Sequence, residues 1–379
     1  MVCRVGMRRL LALGGRKFSI DAFMAGQSDG FYFDFTRTDR HFQEHTGPTL
    51  ADDVGEVIGL AFDQRTWNGA SLSAALGPEL VPDPTLSSVA ALTLQTDWSA
   101  SAGVVTKVGG ASGRFVSVTG NLVTVGATYF ATTVVSARSA GTMLVNIGSV
   151  DGVGRTAAGT YTEYVRATTT ATPSPAGLTF FGNSAFAGSV DSWSVKQVPG
   201  YSALQSTGAA KPTRQAGGAK FDGSDDNLLT TYHAGSGANF LVALVTIPSS
   251  IPTTQALIGA ENPLGNRFLL MVRTTGQLDC GIGAFSGPGT GDDLRGQRVV
   301  IGLTNDGSGN YRLFANDTTL RDTTHTGAAA DNFLRIGANN STSANNAAAF
   351  SSCSIEKVIA GREYLTLARY LQIRAALLA

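Results

Sequence analysis

The sequence predicts an all-β protein made of tandem β-sandwich domains of the jelly-roll type, with an irregular N-terminal segment and a C-terminal helix. Short apolar runs rich in β-branched and aromatic residues recur along most of the chain, and turn residues separate them. The chain contains 46 Gly and 12 Pro among its 379 residues, which favours many turns over long helices. A helical period appears only near the end of the chain.

Three segments divide the chain. Residues 1–76 contain too little regular pattern for a core of their own, so we expect them to pack on a partner or on the next domain. Their clearest strand-like run covers residues 29–35. Residues 77–199 and 200–379 each contain a full set of strand-like runs without a helical period, which is typical of a sandwich or jelly roll. We expect residues 200–379 to fold alone.

The predicted strands of the second segment are 115–118, 122–125, 129–135, 143–147, 161–165, 178–181 and 190–195. Those of the third segment are 220–221, 239–247, 256–259, 267–272, 299–303, 311–315, 333–337 and 353–360. Gly120-Asn121 and Asn316-Asp317 each lie between two such runs and predict two-residue hairpin turns.

The predicted C-terminal helix rests on apolar spacing. Tyr364, Leu367, Leu371 and Leu378 lie at helical intervals, with Tyr370 and Ile373 flanking them, which predicts an amphipathic helix at the end of the chain.

Charge and hydropathy exclude two classes of partner. Lys and Arg equal Asp and Glu at 28 each, and only 15% of residues are charged. Nucleic-acid binding needs clustered excess positive charge, so we expect no nucleic-acid partner. No apolar run approaches the length of about 18 residues that a membrane-spanning helix needs, so we expect no membrane insertion.

The cysteines and the N-terminus indicate assembly in the cytoplasm. Three cysteines are too few for a disulfide framework, although a bridge between Cys280 and Cys353 stays open. Residues 1–15 combine arginines with a short apolar run, but this run is shorter than the core of a signal peptide and no small-residue cleavage site follows. We expect a non-secretory N-terminus.

The sequence offers no catalytic residues in the setting that their chemistry requires. A retaining glycosidase needs two carboxylates about 5–5.5 Å apart, and no acidic string at strand spacing supplies them. His41-Phe42-Gln43-Glu44-His45 matches a zinc-peptidase pattern, but a turn-rich segment replaces the helix which that site requires. We therefore expect a protein that is not an enzyme, with glycan depolymerase activity as the alternative.

The second segment resembles a family of carbohydrate-binding modules. The resemblance rests on residues 77–81, on Trp98, on residues 159–162 and on the closing run 189–195. It implies a jelly roll in which a structural calcium ion lies between the first strand and the acidic residue of the closing strand. The matching residues are Glu79 and Asp191, with Asp83 as an addition; a turn-capping Asp and a solvated Glu form the alternative.

The third segment resembles the concanavalin and laminin-G-like domains. Residues 217–228 are similar to the F-D-G-x-D-D opening of those domains, and residues 334–337 and 354–360 are similar to their closing strands. The acidic residues Asp222, Asp225 and Asp226 are therefore candidates for calcium or sugar-hydroxyl binding. A turn role for Asp222 is the alternative.

One aromatic residue is a candidate sugar contact. Tyr161 and Tyr164 differ by three positions on a predicted strand and therefore face opposite sides, so one belongs to the core and one is exposed. We take Tyr164 as the ligand-binding candidate. Trp98 and Trp193 are predicted to pack in the core.

The whole arrangement, including the N-terminal segment, resembles appendages of tailed phages and phage-like gene transfer agents. The resemblance implies a virion protein, a head spike or tail-fibre subunit, that is assembled in the bacterial cytoplasm and exposed on the particle surface. It would bind capsular polysaccharide of the host cell, attach to other virion proteins through residues 1–76, and act as a homo-oligomer whose many copies strengthen weak binding. A decoration or adaptor protein with no ligand is the alternative.

Overall fold

The computed structural model describes residues 18–379 except 48, 66–71, 89, 91, 111–113, 119–121, 169–176, 236, 262–265, 284, 287–290, 325–331 and 342–345. Strands dominate the described residues, and the three helices are short. The predicted all-β class with a C-terminal helix is confirmed. No helix among these residues is long and apolar enough to cross a membrane.

The first part of the chain contains α1 (Ile20–Ala25), β1 (Gly30–Asp34), β2 (His41–Phe42), β3 (Leu60–Phe62) and α2 (Leu72–Ala75). The middle part contains β4 (Leu92–Leu94), β5 (Trp98–Ser101), β6 (Val104–Val108), β7 (Arg114–Val118), β8 (Thr128–Ala140), β9 (Met143–Ile147), β10 (Val150–Asp151), β11 (Gly159–Arg166), β12 (Leu178–Gly182) and β13 (Ala187–Gln197).

The last part begins with β14 (Ser202–Leu204), a 3₁₀ turn (Gly208–Ala210), β15 (Thr213–Gln215), β16 (Gly218–Lys220), β17 (Leu228–Ala234), β18 (Asn239–Thr246), β19 (Gln255–Glu261) and β20 (Arg267–Val272). It continues with β21 (Leu278–Gly283), β22 (Phe285–Ser286), β23 (Arg298–Asn305), β24 (Asn310–Ala315), β25 (Thr318–Thr324), β26 (Asn332–Ile336), β27 (Asn339–Ser341), β28 (Asn346–Ala348), β29 (Ser354–Gly361) and α3 (Leu367–Leu377).

The middle part forms a jelly-roll sandwich of two five-stranded antiparallel sheets. One sheet has the order β10-β9-β12-β7-β4 and the other β11-β8-β13-β6-β5. Apolar side chains of both sheets form one core, in which the Trp193 and Phe180 rings meet edge to face at 5.0 Å. Trp98 packs on the same Phe180 ring. The prediction that both tryptophans belong to the core is confirmed.

Two details of this jelly roll differ from the sequence prediction or lie outside it. Residues 122–125 form no strand, although Val123 is buried in the core and Leu122 packs against it. The alternating apolar residues at 122–125 therefore indicate burial in the core but not membership of a paired strand. The predicted Gly120-Asn121 turn lies outside the described part of the chain.

The larger sandwich has an eight-stranded sheet and a nine-stranded sheet around one core. The eight-stranded sheet has the order β15-β16-β29-β18-β23-β24-β25, with β1 also paired to β29. The nine-stranded sheet has the order β2-β3-β14-β17-β26-β19-β20-β21-β22. In the predicted hairpin between β24 and β25, Asn316 has a φ of 52°, which this residue type tolerates in tight turns.

The N-terminal segment is part of this larger sandwich, which corrects the predicted boundaries. Strand β1 pairs antiparallel with β29 along five residues, and β3 pairs with β14. Phe31, Phe33 and Phe35 are fully buried in the common core. The larger sandwich is therefore built from the first and last parts of the chain, and residues 200–379 lack three of its strands.

The jelly roll is inserted between these two parts, and its ends lie together. The Gly77 N–H donates to the Gln197 carbonyl at 2.9 Å, and Glu79 forms a β-bridge with Lys196. The chain thus leaves the larger sandwich after β3 and returns to it at β14, the strand beside β3.

Helices α1 and α3 cover the outer face of the eight-stranded sheet. The buried face of α3 consists of Tyr370, Ile373 and Leu377, whereas Leu367 and Leu378 are exposed. The helix is therefore confirmed, but Tyr370 and Ile373, predicted to flank the apolar positions, form its buried face together with Leu377. Because helices cover one face and the core covers the other, β18 is buried along almost its whole length.

Cys280 and Cys353 are free thiols in this structure. Both are fully buried, and burial raises the pKa of each to about 12. The bridge that the sequence left open is not formed.

Candidate functional site

A cavity of about 440 Å³ lies where the jelly roll meets the larger sandwich, and we call it the junction cavity. The jelly roll contributes the end of β11 with Tyr164 and Arg166, and Asp151 of β10. The larger sandwich contributes His45 and Phe333. Most of the remaining lining is aliphatic, so the cavity has apolar walls and a few polar groups.

Tyr164 connects the two sandwiches. Its ring is only 2% exposed and lies 5.0 Å from the rings of both Phe42 and Phe62 in the larger sandwich. On the jelly-roll side it lies 5.1 Å from Phe130. The Tyr164 N–H donates to the Thr46 carbonyl at 2.9 Å. Tyr164, the predicted ligand contact, therefore lines the cavity, but most of its ring packs against the aromatic side chains of the domain interface.

Close backbone packing supports this interface. Gly47 has a φ of +51°, and a Cβ atom there would lie 2.5 Å from the Tyr164 ring. Only glycine satisfies both conditions without strain. The buried hydroxyls of Thr128 and Ser202 add a hydrogen bond of 2.8 Å between the two sandwiches.

Arg166 is the cationic group of the junction cavity. Its guanidinium carbon lies 5.3 Å from the centre of the Phe333 ring. Burial alone lowers the pKa of Arg166, to about 10. Among the described residues, no hydrogen-bond acceptor or carboxylate pairs with this guanidinium. The group stays charged at neutral pH, since a pKa of about 10 leaves it protonated.

His45 brings a second nitrogen group to the cavity. Its Nδ1 atom is buried and has no hydrogen-bond partner among the described residues. Burial, and then the nearby Lys211 ammonium, lower the pKa of His45, so the neutral imidazole is favoured. Lys211 itself is ion-paired with Glu44 at 2.6 Å.

The histidine pattern examined in the sequence lies on a strand and a turn rather than on a helix. His41 is fully buried in β2 and stacks on Phe35 at 5.2 Å. His45 lies in the turn that follows β2 and lines the junction cavity. The two imidazoles therefore belong to different surroundings.

The three carboxylates predicted to hold calcium in the jelly roll each accept hydrogen bonds from nearby groups of the protein. Glu79 accepts hydrogen bonds from the N–H groups of Leu80, Val81 and Val195, at 3.1, 3.0 and 2.8 Å, and from the Ser194 hydroxyl. Asp191 accepts from the Ser136 hydroxyl.

Asp83 caps its own turn. It accepts from the hydroxyls of Thr85 and Ser87 and from two backbone N–H groups, which lowers its pKa to about 2. Oxygens of Glu79, Asp83 and Asp191 do not form a group within 4.8 Å of one another. The three residues therefore do not form one group of converging oxygens, and calcium binding by Glu79 and Asp191 stays a prediction.

The acidic residues of the third segment do come together. Oxygens of Asp222, Asp225 and Asp226 lie within 4.8 Å of one another. Asp222 also accepts from the Ser224 N–H at 2.8 Å, which is the predicted turn role. Burial, and then repulsion from Asp222, raise the pKa of Asp226 to about 7. These residues do not line the junction cavity, and ligand or calcium binding by them stays a prediction.

Sequence reasoning missed Arg166, Phe333, His45 and Asp151 as cavity residues. They come from three distant stretches of the chain, and none carries a motif. One signal was present in the sequence. Arg166 follows Tyr164 by two positions near the end of the same strand, so both side chains lie on one face of the sheet. A cavity between domains depends on how the domains meet, which local pattern does not reveal.

Comparison with known proteins gives partial similarities only. No protein-family model matches the chain, and no curated protein matches it. Among solved structures, a sialidase of Trypanosoma rangeli in complex with 2,3-difluoro-KDN is similar with a TM-score of 0.38 and 17% identity, over 47% of this chain and 30% of that one.

A second solved structure is the CBM40 domain of the Ruminococcus gnavus IT-sialidase, bound to alpha2,3 sialyllactose. It gives a TM-score of 0.29 and 19% identity, over 37% of this chain and 83% of that domain. The chain thus spans less than a third of the length of the Trypanosoma sialidase that it matches.

The prediction that this protein is not an enzyme is contradicted by these comparisons, because the matched sialidases are enzymes. The sequence argument relied on acidic pairs within one strand, whereas residues of an active site can come from several distant strands. The similarities are too partial to assign an activity to this chain, so catalysis has to be measured.

Proposed function

We propose that the protein binds carbohydrate and that the junction cavity takes a sugar residue of a cell-surface polysaccharide. The observation that carries the proposal is the cavity itself, formed between two β-sandwiches and lined by apolar walls with a few polar groups. Small-molecule sites are concave, mostly apolar, and measure about 300–1,000 Å³. The cavity volume of about 440 Å³ lies in that range and suits one or two sugar rings.

The lining offers apolar walls for the C–H groups of a sugar and polar groups for its hydroxyls. A pyranose ring presents C–H groups, which favour apolar walls such as those around Leu204 and Phe333. Its hydroxyls need polar partners at the edge, and Asp151 and Thr168 provide them. A few such polar groups in an apolar site orient the ligand and provide specificity.

The sequence resemblance supports a finer proposal, a virion appendage of a phage or gene transfer agent that binds capsular polysaccharide. Homo-oligomers would present several cavities, and their effective concentration would strengthen weak binding. Attachment to other virion proteins through residues 1–76 stays a prediction; within that segment, β1 and β3 are already paired inside the larger sandwich. A decoration protein without a ligand remains the competing proposal.

The test blocks the cavity without disturbing either core. Val125 lines the cavity and is 53% exposed, so Val125→Trp fills the opening from the surface. Val108 is 80% exposed on the same jelly roll and does not line the cavity, so Val108→Trp is the matched control. Both variants are applied to an array of capsular and storage polysaccharides, and released sugar is measured in parallel.

We expect the unmodified protein and Val108→Trp to bind the same polysaccharides, and Val125→Trp to bind at least tenfold more weakly. A protein that binds no glycan would refute the proposal. Equal binding by all three would move the site elsewhere. In the particle, removal of the protein should reduce attachment to encapsulated cells, while normal attachment would favour the decoration protein.

A further inference from the structure

Among the described residues, neither a carboxylate nor another hydrogen-bond acceptor pairs with the Arg166 guanidinium. The single cause that lowers its pKa is burial, with no contribution from a carboxylate. Arg155 and Arg362 are ion-paired, with Glu163 at 3.4 Å and with Asp29 at 3.1 Å. Arg335, whose pKa burial also lowers to about 10, donates a hydrogen bond to Asn227. A charge that is removed from water without a partner is costly, so such groups generally pair or bind an ion.

The position of Arg166 points the unbalanced charge at the junction cavity. Its guanidinium lies against the Phe333 ring, which comes from the other sandwich. The guanidinium makes a cation–π contact with this ring, and its N–H groups have no acceptors among the described residues. A planar guanidinium matches a carboxylate with two parallel hydrogen bonds.

The other charged group of the cavity already has a hydrogen-bond partner. Asp151 lines the cavity but is exposed, and its Oδ1 accepts from the Asn146 amide at 2.7 Å. His45 has its neutral form favoured, with a buried Nδ1 that lacks a partner. The cavity therefore combines apolar walls with one positive charge that has no partner among the described residues and one carboxylate that is hydrogen-bonded to Asn146.

We infer that the junction cavity selects an acidic sugar residue, whose carboxylate pairs with the Arg166 guanidinium while its ring packs on the apolar walls. This inference rests on the proposed carbohydrate binding and specifies the class of sugar. The anionic group is a carboxylate, as in a uronic acid, because its two oxygens match the guanidinium fork and the cavity has room for the attached ring.

The test uses a charged polymer and its neutral derivative. The probes are oligogalacturonate, the same oligomer after methyl esterification, dextran, and dextran sulfate. The variants are Arg166→Met, which keeps the length and removes the charge, and Arg166→Lys, which keeps the charge and removes the fork. Arg295→Met is the matched control, because Arg295 is 40% exposed, does not line the cavity, and its loss changes the net charge equally. Thermal unfolding verifies that all variants are folded.

We expect oligogalacturonate to bind at least tenfold more tightly than its ester, with the preference lost in Arg166→Met, reduced in Arg166→Lys and kept in Arg295→Met. Equal binding of acid and ester, or a preference that survives Arg166→Met, would overturn the inference and leave carbohydrate binding in place. A preference for dextran sulfate would overturn the carboxylate assignment. If neither charged nor neutral polymers bind, including those of the wider array, the proposed function itself fails.

Discussion

The two sandwiches differ in how the chain builds them. The jelly roll uses one continuous stretch, so its strand pairs, such as β8 with β11 and β13, all form within that stretch. The larger sandwich joins both ends of the chain, since Phe31 of β1 lies opposite Ala360 of β29. A segment with a full set of strand-like runs is therefore not always a complete domain. Completeness depends on which strands cover the core.

The junction shows how one domain can interrupt another. The ends of the jelly roll meet at Gly77 and Gln197, so the insertion replaces a surface connection between β3 and β14 without separating them. Insertions are tolerated where the chain ends lie close together at the surface. The two domains then share the cluster around Tyr164, which makes their interface more than a linker.

Separate expression of the two regions should give the largest effect. We expect residues 77–199 to fold alone and residues 200–379 to remain unfolded or molten, contrary to the expectation from the sequence. Loss of the rings of Phe31, Phe33 and Phe35 removes about 5–9 kcal/mol of apolar burial, comparable with the whole stability of a typical domain. Circular dichroism and amide dispersion in NMR spectra distinguish the states.

A rejoined chain is the control for that experiment. Residues 18–76 linked directly to 199–379 by a short glycine-serine connection should fold, because the two ends of the insertion are adjacent. A folded 200–379 fragment, or an unfolded rejoined chain, would contradict the interrupted-domain description.

Tyr164→Ala should give the next largest effect, at the interface rather than in either core. Removal of a buried aromatic side chain costs about 3–5 kcal/mol, and here the loss falls on contacts with Phe42 and Phe62 across the junction. We expect calorimetry to show one transition for the unmodified protein and two separated transitions for the variant. Trp193→Ala, in the jelly-roll core, should lower the stability of the jelly roll alone. One unsplit transition in Tyr164→Ala would show that other contacts couple the domains.

Asp226 should make the stability of the larger sandwich sensitive to pH. Its folded-state pKa is raised to about 7 from an ordinary 3.8, so the native state holds this proton more tightly than the unfolded state does. The resulting stability is present in full below about pH 4 and is lost as the pH rises through about 7.

Asp226→Asn should remove that loss. We expect the variant to be about 1–2 kcal/mol more stable than the unmodified protein at pH 8, and similar to it at pH 4. Asp52→Asn, in an exposed acidic group, is the matched control and should leave the pH profile unchanged. Denaturant unfolding measures the stability of both variants at each pH. Chelator is included because a bound cation would relieve the repulsion between Asp222 and Asp226. A flat profile for the unmodified protein would contradict the expectation.

Glu79→Gln should give the smallest effect and tests the closure of the jelly roll. The substitution weakens the charge-assisted bonds to Ser194 and to three backbone N–H groups, with a cost of about 1 kcal/mol. Since these donors belong to the chain, we expect the same loss in calcium and in chelator. If chelator alone lowers the Tm of the unmodified protein, and Glu79→Gln abolishes that shift, the predicted calcium site would be supported.

The candidate site was predictable only in part. Tyr164 was selected because residues three apart on a strand face opposite sides, and it does line the cavity, although the domain interface covers its ring. Arg166 could not be selected, because its meaning depends on Phe333 of another domain and on the absence of a nearby carboxylate within the described residues. The acidic cluster at Asp222 was visible because its residues are close in sequence.

The sequence by itself determined the fold class, about half of the strands, the Asn316-Asp317 turn and the closing helix, whereas strands such as β17 and β21 were missed. These features arise from local preferences, such as side-chain alternation, turn chemistry and helical period. Such preferences depend only on residues a few positions apart in the sequence. Only the tertiary structure decided that β1 belongs beside β29, that the jelly roll is an insertion, and that Arg166 faces a cavity with Phe333. Burial of apolar surface drives those long-range choices, and it depends on which elements meet in space rather than on any one stretch of residues.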